Sequence, residues 1–158
     1  MIQRKQTLFL ALAALCVALM FVFAIGIYKL PDQPTEVTFG VLGTMVGGQD
    51  ALFAPKPLVP LQAVAGLAIL MLGATVFMFK DRKRQLRFAN FCYMVLLALF
   101  AAVFMSEHSM QAVIEEKGGA GGVGIGYFLP LIALAFTFLA VRGIKADEEL
   151  VKSADRLR

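Results

Sequence analysis

The sequence predicts an all-α membrane protein: a four-transmembrane-helix bundle with both termini in the cytoplasm and a small exterior loop able to form a β-hairpin. Three observations carry that expectation. First, of 158 residues 59% are hydrophobic and only 16% charged, with a mean hydropathy of +0.78, whereas soluble domains hold about half apolar and about a quarter charged residues. Second, four runs, Thr7 to Tyr28, Leu58 to Phe79, Phe88 to Ser106 and Val123 to Val141, contain no Asp, Glu, Lys, Arg or His. Each is long enough for a hydrocarbon core of about 30 Å, which takes roughly 17 to 25 residues of helix. Third, the basic residues alternate across those runs, as orientation by positive charge requires.

The first span follows Arg4 and Lys5. Its apolar stretch exceeds the roughly 7 to 15 residues of a secretory signal core. Leu15, in front of Cys16, stands where lipoprotein processing wants Gly or Ala. A retained span is therefore expected. Spans at about 7–28, 58–79, 88–106 and 123–141 leave exterior loops at 29–57 and 107–122 and a cytoplasmic tail at 142–158, all in one domain covering 1–158. With the N-terminus inside, twelve of the fifteen Lys and Arg residues fall on the cytoplasmic side, and only Lys29, Lys56 and Lys117 fall outside. The net charge of +4 then reflects punctuation of spans and attraction to anionic headgroups, and no nucleic-acid partner is expected.

In the 29–57 segment, "TEVTFGVLG" alternates polar Glu36, Thr38 and Gly40 with apolar Val37, Phe39 and Val41. This predicts a short strand or hairpin, serving as a recognition cap or as a linker resting on the membrane. Between the third and fourth spans, "KGGAGGVGIGYFLP" places Gly119, Gly121 and Gly124 in G-x-G-x-x-G spacing. A dinucleotide site needs that loop between a buried strand and a helix of a βαβ unit. No such alternation surrounds it. The expectation is a flexible glycine linker in which Ser at all three positions leaves membrane insertion and complex formation nearly intact.

Chemistry inside the spans is argued by absence. A bis-imidazole haem needs two histidines, and the chain has only His108. Proton or ion coupling calls for a buried ionisable group. Cys16 and Cys92 lie at different depths, and Glu107 with adjacent His108 cannot complete a zinc tetrahedron. No cofactor, metal or catalytic set is expected, and no enzyme. The candidates that remain concern packing and contact. Gly66 and Gly73 on the second span and Asn90 on the third are candidate helix-packing positions, with Gln62, Tyr93 and Thr137 as further interhelical hydrogen-bond candidates. In the tail, acidic Asp147 to Glu149 precede basic Lys152, Arg156 and Arg158, which favours helix. Leu150, Ala154 and Leu157 form a narrow apolar stripe, the candidate partner contact.

The opening "MIQRKQTLFL", the basic "DRKRQLR" and the end "FLPLIALAFTFLAVRGIKADEELVKSADRLR" together resemble a family of small four-span inner-membrane proteins of Bacteroidota classed as of unknown function. The resemblance runs the length of the chain, with "DEELVKSADRLR" its most specific part. It implies a multi-pass location in a Gram-negative inner membrane and supplies no activity, cofactor or catalytic residue. Two function classes are expected. The first is a non-catalytic scaffold or accessory subunit of a membrane assembly, whose partners are the lipid bilayer and a membrane protein or a second copy. The alternative is a binding or transport module for an apolar ligand such as a lipid or quinone, with the 29–57 segment as a lid.

Overall fold

A computed structural model describes residues 5–31, 35–46, 49–50, 60–78 and 81–156. The elements in chain order are α1 (Lys5–Leu19), β1 (Gly26–Lys29), β2 (Val37–Gly40), β3 (Gly43–Val46), β4 (Gln49–Asp50), α2 (Leu61–Phe77), α3 (Arg82–Glu116), β5 (Ala120–Val123) and α4 (Ile125–Arg156).

α1 forms where Leu and Ala dominate, "TLFLALAALCVAL", because these residues lose little freedom in a helix. It stops where the run turns aromatic and β-branched. Phe23 N–H still reaches the Leu19 carbonyl at 3.0 Å, but Ile25 N–H already bonds the Phe39 carbonyl across a sheet at 2.7 Å. The apolar run from Thr7 to Tyr28, expected as one helix, is therefore a helix of 15 residues, about 22 Å long, followed by a turn and a strand.

α3 is longer than its apolar run at both ends. Asp81 caps it, its carboxylate accepting the Arg84 N–H at 3.1 Å and pairing with Arg84 Nε at 3.0 Å. At the far end Gly118 takes φ +69. Its N–H bonds the Glu115 carbonyl, and Gly119 N–H bonds the Ile114 carbonyl, both at 2.9 Å. This double closure, with glycine in the left-handed region, is a Schellman ending. Between the caps, Cys92, Leu96, Leu99, Val103, Glu107, Met110 and Ile114 are all buried. Steps of three and four place them on one face, so the core-facing stripe continues two turns past Ser106.

α1 packs on α2 and α4, and α3 packs on the same two. The core between them includes Leu10, Ala13, Val17, Ala65, Leu72, Leu96, Leu99 and Ala133, with a smaller cluster of Ala89, Val141 and Ile144 where α3 begins. The five strands form one antiparallel sheet in the order β4-β3-β2-β1-β5. Its inward residues, Tyr28, Val37 and Phe39, join the same core, while Ile27 and Lys29 face out.

The predicted fold class is thus overturned. The chain is not all-α, because a five-stranded antiparallel sheet is built from three separate stretches of it. Among the described residues two helices, not four, are long and apolar enough to cross a membrane: Lys83–Glu116 and Ile125–Leu150. The helices Gln6–Leu19 and Leu61–Phe77 are apolar but shorter. The hairpin expected in "TEVTFGVLG" is present as β2 and β3, joined through Val41 and Leu42. Both keep negative φ, and the reversal falls to Gly43 at φ 138, since a residue with a Cβ avoids positive φ.

Candidate functional site

The sheet meets α3 and α4 at a junction where glycines and one polar pair act together. β5 lies antiparallel to β1, with Ile27 opposite Gly122 and Tyr28 opposite Gly121. A Cβ on Gly121 would run into the Ile27 carbonyl oxygen and the Tyr28 Cα, and one on Gly124 into the Ala24 carbonyl oxygen. At Gly126 it would stand 2.6 Å from the Phe23 oxygen, and at Gly119 2.8 Å from the Lys29 oxygen. These are backbone atoms and cannot rotate away. Gly124 N–H donates to Ile25 O at 2.6 Å and Gly126 N–H to Ala24 O at 2.8 Å. The flexible-linker expectation for Gly119, Gly121 and Gly124 is corrected: the stretch is a strand whose glycines permit contact with β1 at backbone distance.

The same glycines cradle Tyr28. Its ring edge lies against Gly26 and Gly121, each of which would overlap it with a Cβ. Its hydroxyl donates to Glu107 Oε1 at 2.9 Å. Tyr28 is 1% and Glu107 6% exposed, so the pair joins β1 to α3 out of water. Burial first, then the hydrogen bond and the negative charge of Glu107, raise the Tyr28 phenol well above its ordinary range. The phenol is a proton donor here at all physiological pH. The end of the apolar run at Ser106 makes Glu107 look like a helix-end residue beside His108, whereas it is buried on the core face. The signal that reveals it is the spacing of Leu96, Leu99 and Val103, which continues through positions 107, 110 and 114. Neighbouring His108 is exposed, so the two residues face different ways, and among the described residues no three His, Cys, Asp or Glu side chains gather as metal ligands.

Three further polar ties connect elements. Gln6 donates from Nε2 to the Gly143 carbonyl at 3.2 Å and to the Asp147 carboxylate, joining the start of α1 to α4. Gln62 donates to the Leu42 carbonyl at 3.0 Å, joining α2 to the hairpin tip. Gln85 donates to the Thr75 carbonyl at 3.2 Å, and the Thr75 hydroxyl lies 3.4 Å from Cys92 Sγ, joining α2 to α3. Gln85 Oε1 is buried without a partner among the described residues. Of the hydrogen-bond candidates taken from sequence, Gln62 thus meets a strand turn instead of a helix, Thr137 donates to Ala133 O of its own helix at 2.8 Å, Tyr93 packs on the core and Asn90 is exposed. A Cβ on Gly66 or Gly73 would meet nothing within 4 Å.

The tail is the continuation of α4, so its helix propagates from the preceding turns and needs no separate nucleus. Leu150 is 68% exposed on it. Ala154 lies within its helical backbone, and Leu157 falls outside the described residues.

Beside the junction a groove of about 190 Å³ opens between the turn after α1 and the β2–β3 hairpin, walled by Phe21, Val22 and Phe23 on one side and Val41, Leu42 and Met45 on the other.

A family model described as a domain of unknown function (DUF4293) matches residues 2–157, and the chain belongs to that family. No curated protein matches the chain.

Proposed function

We propose that this member of the family is a non-catalytic integral protein of the bacterial inner membrane, acting as a scaffold or accessory subunit of a membrane assembly. The observation that carries this reading is the use of its buried polar side chains. Tyr28 with Glu107, Gln6 with Gly143 and Asp147, and Gln85 with Thr75 each tie one element to another. Such ties stiffen a framework, each contributing about 0.5 to 3 kcal/mol depending on charge.

The orientation has α3 entering the bilayer from the cytoplasm and α4 returning to it, with the sheet outside. The basic residues around Arg84 and Arg142 support it. The bond between Gln6 and Asp147 supports both termini lying on that same side. The inner membrane as location rests on the resemblance of the termini and the basic hairpin. The partner is a membrane protein or a second copy, met through the exposed side of the α4 extension, where Leu150 stands.

The test is purification of the tagged chain from native membranes in mild detergent, beside Leu150→Asp. The expected result is a stoichiometric protein partner that Leu150→Asp loses while the variant still inserts. A chain recovered without any stoichiometric protein overturns the reading, and so does a partner equally retained by the variant at this contact.

A further inference from the structure

The groove between the α1 turn and the hairpin has a position, a size and a chemistry that together select one occupant. Its height is set by two neighbours. The Phe23 and Ala24 carbonyls abut Gly126, the second residue of α4, and Ala24 O accepts the Gly126 N–H. On the other wall, Leu42 O accepts from Gln62, the second residue of α2. Both walls thus stand where α2 and α4 begin their apolar stretches. If α4 crosses a bilayer, this is the level of the hydrocarbon edge.

At that level the mouth is apolar and open, with Val22 77%, Leu42 54% and Phe23 39% exposed, and Ile125 on the adjoining end of α4 is 65% exposed. Among the described residues no charged side chain lines the groove, although part of its lining surface, Thr38 included, is polar. Its volume of about 190 Å³ is below the roughly 300 to 1,000 Å³ of sites for compact small molecules. A site this small suits a length of narrow chain better than a ring system with substituents. A peptide strand finds little to pair with, because β2 is bonded on both edges, to β1 and to β3, and the Thr38 hydroxyl is turned to Met45 O.

We propose that this groove seats a segment of one acyl chain of a bilayer lipid, with the headgroup left in the interface outside it. The proposal rests on the reading that α3 and α4 cross the membrane. The hairpin then acts as a lipid contact of the sheet, and the apolar surface at Val22 and Leu42 is covered by lipid.

The chain contains no tryptophan, so single introduced tryptophans report their own surroundings. Full-length Leu42→Trp and, as a reference, Leu97→Trp on the exposed mid-length face of α3 are reconstituted in phosphatidylcholine vesicles carrying lipid brominated on its acyl chains. Bromine quenches only at contact range. Both tryptophans are expected to be quenched. Adding Gly40→Phe to Leu42→Trp, at a position where a Cβ meets nothing nearer than the Gly43 carbonyl at 4.0 Å, fills the groove and is expected to remove most of the quenching at position 42, with the circular dichroism unchanged. Quenching at 97 but not at 42 overturns the proposal alone, whereas no quenching at 97 overturns the membrane reading beneath it. Quenching at 42 that survives Gly40→Phe in a folded chain also overturns the proposal, since the mouth then touches lipid without seating it. Should Gly40→Phe not fold, retention of phospholipid by the purified Leu42→Trp chain decides: one lipid held per chain through detergent exchange supports the groove, and none overturns it.

Discussion

Two sets of glycines in this chain behave in opposite ways. Gly66 and Gly73, seven apart on α2, have the sequence spacing of a helix-packing face, yet a Cβ on either meets no atom within 4 Å. Gly121, Gly124 and Gly126 have the look of a loose loop, yet a Cβ on any of them collides with the backbone of residues 23 to 28. The difference teaches that a glycine's role is set by what approaches it, and that neither spacing nor local composition reports the approach. On α2 the missing side chain leaves room on the outer surface of the helix. At the junction it is the condition for β5 to lie on β1.

The comparison breaks most visibly at the junction. Gly121→Ser and Gly124→Ala are each expected to cost about 3 kcal/mol, the upper end for overpacking, because only backbone can yield. The check is thermal unfolding in detergent against wild type. A loss within about 0.5 kcal/mol, the level of a neutral surface change, returns the stretch to the status of a linker.

Tyr28→Phe comes next. It keeps the ring between Gly26 and Gly121 and removes the phenol that donates to the buried Glu107 carboxylate, at an expected cost of about 1.5 to 3 kcal/mol. The double-mutant cycle with Glu107→Gln measures the coupling directly. The same pair gives a pH signature. The folded phenol titrates above its unfolded value of about 10, so its contribution is complete below pH ~10 and is lost as pH rises through the folded value. The wild type should therefore lose more stability than Tyr28→Phe between about pH 9 and pH 11, and parallel profiles would remove the raised phenol from the account.

The smallest effect has the opposite sign. Gly66→Ala and Gly73→Ala sit mid-helix with open space, so each is expected to stabilise the chain by about 0.5 to 1 kcal/mol. A loss at either would mean that a partner's backbone approaches α2 there in the assembled state.

Much of the helical part was legible in the sequence. The uncharged runs mark where each helix lies but not where it ends: "KDRKRQLR", expected as the connection between two spans, belongs to α3 from Arg82, and α3 runs past Ser106 to Glu116. The alternation in "TEVTFG" marked β2. Two features were not legible, for physical reasons. The stretch "FVFAIGIYK" is as apolar as the helix before it, so hydropathy could not separate a membrane helix from a strand buried on one face. β5, "AGGV", has almost no strand propensity of its own and is ordered only by tertiary contact. The Tyr28–Glu107 pair lies between. Glu107 follows the periodicity of α3 and could have been placed on its buried face, but its partner is 79 positions away and only the sheet brings them together.

The claim on which the rest depends is that residues 119–126 are strand and helix start clamped to β1, and amide hydrogen exchange tests it without altering the chain. Gly124 and Gly126 donate their amides to Ile25 O and Ala24 O. Both amides are expected to exchange as slowly as those of α3 around Leu99, because opening them requires the sheet to leave the helices. Exchange at the rate of an unstructured peptide at Gly124 and Gly126, with α3 still protected, would contradict the account.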